Sequence, residues 1–280
     1  MLGPLVAVVD GVPVPLGPPQ QRALLALLAL HAGEVVSRDR IVDELWGERP
    51  PATSAKLVQG YVSGLQKLVG ADVLVTRAPG YLLAVEAGAL DLAQFERLVG
   101  EGRAALGEGD PGRAAVRLRE ALALWRGPAL ANLVSAPFVP GEASRLEELR
   151  LSAVCDRIEA DLALGQDDVV PELEALVAEH PLHERLRRQH MLALYRAGRQ
   201  AEALAAYQAA RRALVDELGI EPRREVRALE QAILRQDPAL DLARRDRPRP
   251  PEKASSAATP SCPCWTASSR RRWAGLGDWC

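Results

Sequence analysis

Ser54-Ala55-Lys56-Leu57-Val58-Gln59-Gly60-Tyr61-Val62-Ser63-Gly64-Leu65-Gln66-Lys67-Leu68-Val69 is the stretch on which the reading of the fold turns. Leu57, Val58, Tyr61, Val62, Leu65, Leu68 and Val69 recur at helical spacing, so the segment predicts a one-sided helix. Its other side carries Lys56, Gln59, Gly60, Ser63, Gln66 and Lys67. That face is small, amide- and hydroxyl-bearing, and free of acid. Val73–Arg77 and Tyr81–Val85 follow as two strands about Ala78-Pro79-Gly80, a turn signal.

Working outward, the preceding residues supply two more helices. Gln20–Ala32 is strongly apolar and stops at Gly33, as helices do at a C′ glycine. Ser37 is a good N-cap for Arg38–Trp46, where Ile41, Val42, Leu45 and Trp46 share a face. Before them, the valine-rich runs Leu5–Val9 and Val12–Leu16 meet at Asp10-Gly11, a hairpin signal. Pro13 and Pro15 restrict the second run to an edge strand. The order is hairpin, three helices, hairpin. Three helices closed by a hairpin define the winged-helix arrangement, in which the third helix enters the major groove and the hairpin wing reaches the backbone or minor groove. Lys56 and Lys67 suit phosphates, Gln59 and Gln66 suit base edges, and Arg77, at the wing's turn, suits a narrow groove. An ordinary amphipathic surface helix with a solvated turn arginine is the plain alternative.

The rest of the chain reads differently. Helical periodicity dominates residues 91–240: Asp91–Leu106, Gly112–Trp125, Glu142–Leu164, Val169–Glu179, Glu184–Ala197, Arg199–Glu217 and Arg223–Arg235. Glycine or proline marks the joints, at Gly109-Asp110-Pro111, Gly165, His180-Pro181, Gly198, Gly219 and Pro222. Tightly joined helix pairs predict stacked helical hairpins of the tetratricopeptide (TPR) type, whose concave face typically binds a peptide or protein. Residues 241–280 hold Pro248-Arg249-Pro250-Pro251 and a Ser/Ala/Thr stretch, and predict a disordered tail. The expected fold is therefore mainly α with small β-hairpins. A winged helix at 1–90 precedes a TPR-like helical domain at 91–240 and a tail at 241–280.

Bulk properties set the bounds. At about 150 residues per domain, 280 residues allow two domains. Net charge is −2, made of −1 over 1–90, −5 over 91–240 and +4 over 241–280, which excludes a uniformly basic nucleic-acid binder but not local basic faces. The longest apolar run, Ala23 to Leu30, is too short for a membrane span of about 20 residues, and the first residues carry no basic leader. Three of the four cysteines, Cys262, Cys264 and Cys280, crowd the tail, while Cys155 lies in a helical pattern as a small buried apolar residue. A reducing, cytoplasmic setting follows. Cys262-Pro263-Cys264 has no second half nearby to complete a metal or redox site.

Residues 3–85 resemble the winged-helix domain of response-regulator type with an added N-terminal sheet. The likeness is carried by Gln21-Arg22-Ala23-Leu24-Leu25-Ala26-Leu27-Leu28, by Val36 to Gly47 with its Asp43-Glu44-Leu45-Trp46-Gly47 ending, by Gln59 to Leu65, and by Thr76-Arg77-Ala78-Pro79-Gly80-Tyr81-Leu82. Residues 91–238 resemble a bacterial transcriptional activation domain. Here the signals are Leu124-Trp125-Arg126-Gly127-Pro128-Ala129-Leu130, Arg145 to Arg150, Leu194 to Leu204, and Glu217-Leu218-Gly219-Ile220-Glu221-Pro222. This order resembles the Streptomyces antibiotic regulatory protein family.

That resemblance implies a transcriptional activator of specialised-metabolite genes, acting in the cytoplasm at the nucleoid. It would bind direct repeats of double-stranded promoter DNA as a homodimer or higher oligomer and contact RNA polymerase. The DNA contacts implied are Lys56, Gln59, Ser63, Gln66 and Lys67, with Arg77 on the wing. Gly47–Ala52 corresponds to the segment that touches polymerase. Gly64 and Gln66 stand where the family commonly has arginines, an expected loss of two phosphate-facing charges. No G-x-x-x-x-G-K-[ST] loop is present and no receiver domain, so neither an ATP site, a cofactor nor an aspartyl-phosphate switch is expected.

Two other readings compete. His180, His183 and His190 raise a metal enzyme, but their surroundings hold Arg185, Arg187 and Arg188 and supply no further ligands at suitable spacing. Gly60-Tyr61-Val62-Ser63-Gly64 is not the G-x-S-x-G nucleophile elbow. No catalytic residue is assigned, and a non-enzyme is expected. The other alternative is a helical-repeat interaction scaffold whose first domain has weak or lost DNA binding.

Overall fold

The structure, a computed structural model, describes residues 1–133 and 136–241. The tail reading and the Cys262–Cys264 motif lie outside these residues. Strands β1 (Ala7–Val9) and β2 (Val12–Val14) pair antiparallel, with Val8 opposite Pro13. Asp10 and Gly11 both take positive φ between them, the conformation a tight two-residue hairpin needs. Helices α1 (Pro19–Leu30), α2 (Arg38–Trp46) and α3 (Ser54–Val69) follow, then β4 (Leu74–Arg77) and β5 (Gly80–Leu83).

One strand was not anticipated. β3 (Val35–Ser37) runs between α1 and α2 and pairs with β5, giving a three-stranded antiparallel sheet of order β3-β5-β4. Tyr81 is the central rung, opposite Val36 on one side and Thr76 on the other. A glycine is required beside it. A Cβ on Gly80 would lie 1.8 Å from the Val36 carbonyl oxygen, so any side chain would push β3 off the sheet. Ser37 ends β3 and begins α2, its hydroxyl accepting the Arg40 N–H at 3.2 Å.

The second part is helical: α4 (Asp91–Gly107), α5 (Pro111–Leu122), α6 (Val139–Ala163), α7 (Val170–Glu179), α8 (Glu184–Arg196), α9 (Gln200–Leu218) and α10 (Arg224–Arg235). The turns after α4, α6 and α8 are one motif used three times. Gly109, Gly165 and Gly198 take positive φ, and the next residue's N–H reaches back five places, from Asp110 to Ala105, Gln166 to Asp161 and Arg199 to Leu194. Such caps satisfy the last carbonyls and end each helix sharply.

α6 joins two cores. Leu146, Ala153 and Ala160, seven residues apart, lie in a core that also contains the winged-helix interior, α4 and α5. Cys155, Ile158 and Leu162 belong to a second core with α7–α10. Two buried carboxylates are clamped on the same helix. Asp156 accepts from Arg103 of α4 and Arg185 of α8, both at 2.6 Å. Asp161 takes Arg119 of α5 and, at 2.9 Å, Arg157. Each has two cations, as burial of a charge requires.

Hydrophobic packing does not stop near residue 90. The first residues lie along the α5–α6 segment: the Arg126 and Leu130 N–H groups donate to the Leu2 and Met1 carbonyls, at 2.8 and 3.2 Å. Asn132 substitutes for a strand partner, its Oδ1 accepting the Leu5 N–H and its Nδ2 donating to the Leu5 carbonyl. Asp91 accepts from the Met1 amine, the Leu2 N–H and Arg126. Burial works to raise its pKa, but these contacts prevail and hold the carboxyl below its ordinary value.

Candidate nucleic-acid interface

α3 buries Val58, Val62 and Leu65 against the winged-helix core. The opposite face is exposed at Lys56, Gln59, Gly60, Ser63 and Lys67. At 1.5 Å per residue, Lys56 and Lys67 stand about 16 Å apart along the axis. Thr53 gives α3 no side-chain cap and its first turn holds no acid, so the positive end of the helix dipole is uncompensated there. Arg77 is exposed at the end of β4, across from Gly80. Among the described residues Lys56, Lys67 and Arg77 have no ion-pair partner.

Gln66 is placed differently from its neighbours. It is half-buried at the edge of the face, and its Nε2 donates to the Leu74 carbonyl at 2.9 Å, tying α3 to β4. Position 64 also departs from expectation. A Cβ there would lie 2.8 Å from Oε1 of Gln21, a buried side chain on α1 whose Nε2 donates to the Leu16 carbonyl. The position faces α1 at close approach, and a side chain at residue 64 would have to displace the Gln21 amide. Sequence reading placed Gln66 by helical face and both positions by the family resemblance. The partners that decide their roles come from α1 and β4, which no local pattern shows.

The segment before α3 is exposed at Glu48, Arg49, Pro50 and Ala52, while Gly47 packs beside Pro137. The wing is braced from behind by Arg38, whose guanidinium lies 5.7 Å from the Tyr81 ring centre.

The other titratable features are structural. His183 caps α8, its Nδ1 accepting the Leu186 N–H at 3.3 Å. His190 buries both ring nitrogens without a protein hydrogen-bond partner, and burial lowers its pKa. Cys155 is buried and its thiol is pushed up to about 11, chiefly by burial. Among the described residues no group of three His, Cys, Asp or Glu is placed to hold a metal, and no helix is long and apolar enough to cross a membrane.

A three-helix unit closed by a β3-β5-β4 sheet and continued by helical pairs defines a winged-helix protein with an appended helical domain. Comparison with known proteins places it further. Residues 13–83 match the family described as "Transcriptional regulatory protein, C terminal", and residues 90–234 match "Bacterial transcriptional activator domain". The chain is 43% identical over 269 residues to regulatory protein DnrI of Streptomyces peucetius, covering 92% of this chain and 98% of that protein. It is 46% identical over 242 residues to regulatory protein AfsR of Streptomyces coelicolor, covering 86% of this chain but only 24% of that protein. Among solved structures, Mycobacterium tuberculosis EmbR in complex with a low-affinity phosphopeptide is similar at a TM-score of 0.81 and 39% identity, over 84% of this chain and 64% of that one. The chain belongs to the Streptomyces antibiotic regulatory protein family of transcriptional activators.

Proposed function

We propose that this regulator binds promoter DNA sequence-specifically, with α3 in the major groove and the β4–β5 wing against the flanking backbone or minor groove. The observation that carries this reading is the α3 face: two unpaired lysines bracket an exposed amide and hydroxyl, and a free arginine stands on the wing. Lys56 and Lys67 neutralise phosphates, Gln59 and Ser63 meet base edges, and Arg77 reaches the groove beside the wing. Gln66 fixes the angle of α3 against β4 rather than reading a base. The exposed loop before α3 is the surface offered to RNA polymerase. Two copies on direct repeats gain from effective concentration, since the second contact becomes intramolecular. The genes controlled are those of specialised metabolism, and the protein works in the cytoplasm at the nucleoid.

The test is fluorescence anisotropy of the full chain on upstream DNA of a neighbouring biosynthetic operon. Gln59→Ala should weaken binding to the cognate site by about 1–3 kcal/mol and leave random DNA unchanged. Equal loss on both would show that Gln59 reads no base. A wild-type chain without any preference for its own upstream DNA would favour the scaffold reading.

A further inference from the structure

A cleft of about 650 Å³ opens where the two parts of the chain meet. Its walls come from β1, α1, the end of α3 and the end of β5 on one side, and from the α5–α6 segment on the other. They are apolar except at one corner, where Asp91 and Arg126 stand. Val8 of β1 and Val6 just before it line the cleft while remaining 58% and 44% exposed, so apolar surface there is left uncovered by the protein itself. Asp91 is fully engaged by its donors. The Arg126 guanidinium has one hydrogen bond, from Nη2 to Asp91, and its other N–H groups meet no acceptor among the described residues. Volume, apolar walls and a single charged corner are the attributes of a small-molecule site.

We propose that this cleft binds an apolar small molecule carrying one anionic group, with its rings or chain against β1 and α1 and its anion on Arg126. A bound molecule bridges the winged helix and the α5–α6 segment, so it stabilises the seam between them in proportion to its occupancy. The proposal is independent of whether α3 reads DNA.

The probe pair is 1-anilinonaphthalene-8-sulfonate and its uncharged counterpart N-phenyl-1-naphthylamine, titrated into the full chain by fluorescence. The sulfonate should bind saturably at one site and raise the melting temperature. Ala123 lies at the rim, exposed and in right-handed helical backbone, so Ala123→Phe can project into the cleft without disturbing the core. It should weaken both probes at least about tenfold. Arg126→Gln should weaken the sulfonate about tenfold and leave the uncharged probe within about twofold. If Ala123→Phe fails to fold, the two-probe contrast in Arg126→Gln carries the test. Absence of saturable binding, equal loss of both probes in Arg126→Gln, or undiminished binding by folded Ala123→Phe would overturn the proposal. So would sulfonate binding that falls as a dimer forms in sedimentation, because a second copy would then fill the cleft.

Discussion

The two parts of this chain handle charge in opposite ways. In the helical part, arginines are held by carboxylates: Arg103 and Arg185 on Asp156, Arg119 and Arg157 on Asp161, Arg185 and Arg188 on Glu159. In the winged helix, Lys56, Lys67 and Arg77 stand free on the surface of α3 and the wing. Net charge per part, −1 against −5, conceals this difference. What a surface presents to a polyanion is the set of cations that no carboxylate already holds. Among the described residues a near-neutral winged helix therefore leaves Arg38, Arg49, Lys56, Lys67 and Arg77 exposed with no carboxylate partner, three of them on α3 and the wing, while the more heavily charged helical part has many of its own cations committed to packing.

The contrast breaks most visibly at a buried carboxylate. Asp161 is 1% exposed between two arginines, so Asp161→Ala leaves Arg119 without its carboxylate and Arg157 with only Glu172 beneath the α5–α6 contact. Removing one side of a buried pair costs about 3–5 kcal/mol, and Arg119 is partly exposed, so the lower end applies. Urea unfolding of the full chain should show this loss. An effect below about 1 kcal/mol would mean the network is dispensable.

On the free side the expectation reverses. Lys56→Ala, Lys67→Ala and Arg77→Ala should each change stability by no more than about 0.5 kcal/mol. Each should reduce the slope of log affinity against log salt by about one. Measured from 50 to 200 mM salt on the same DNA, an unchanged slope in all three would remove α3 and the wing from the phosphate-binding surface.

Gln59 and Gln66 sharpen the comparison within one helix. Gln66→Ala removes the bond to the Leu74 carbonyl and should lower stability by about 1 kcal/mol. Its effect on DNA should be the same for cognate and random sequences, in contrast to Gln59→Ala. A cognate-specific loss in Gln66→Ala would return it to the set of base-reading residues.

Where local chemistry decides an element, the sequence was legible. Ser54–Val69 forms the helix its periodicity predicts, Ser37 caps α2, and Asp10-Gly11 closes the first hairpin. The helical joints at Gly109, Gly165 and Gly198 carry the glycines their backbone needs. β3 escaped because three residues show no alternation, and its pairing with β5 spans more than forty positions. The continuity of the core past residue 90 escaped for the same reason: Leu5 and Asn132 are 127 residues apart. Of the candidate face, which residues point outward was readable, but which are already hydrogen-bonded was not.

The smallest effect lies at an uncompensated group in the helical part. His190 has both ring nitrogens buried without protein partners, and burial lowers its pKa. Glu174 and Glu202 act to raise it and Arg187 and Arg199 to lower it, so the surrounding charges do not reverse the burial effect. His183 is lowered as well, again mainly by burial. The sign follows from linkage. Below the unfolded value near 6.5 the unfolded chain takes up a proton that the folded one resists, so acid selectively stabilises the unfolded state. The two histidines should therefore add no pH dependence above about pH 7 and should lower stability as pH drops toward 5.5. His190→Leu removes the proton-binding difference and the unpartnered nitrogens together. Between pH 7.5 and 5.5 it should lose about 1 kcal/mol less than the wild type in urea unfolding. Parallel losses in the two proteins would assign the acid sensitivity to His183 or to the Met1 amine, whose pKa burial also lowers, instead.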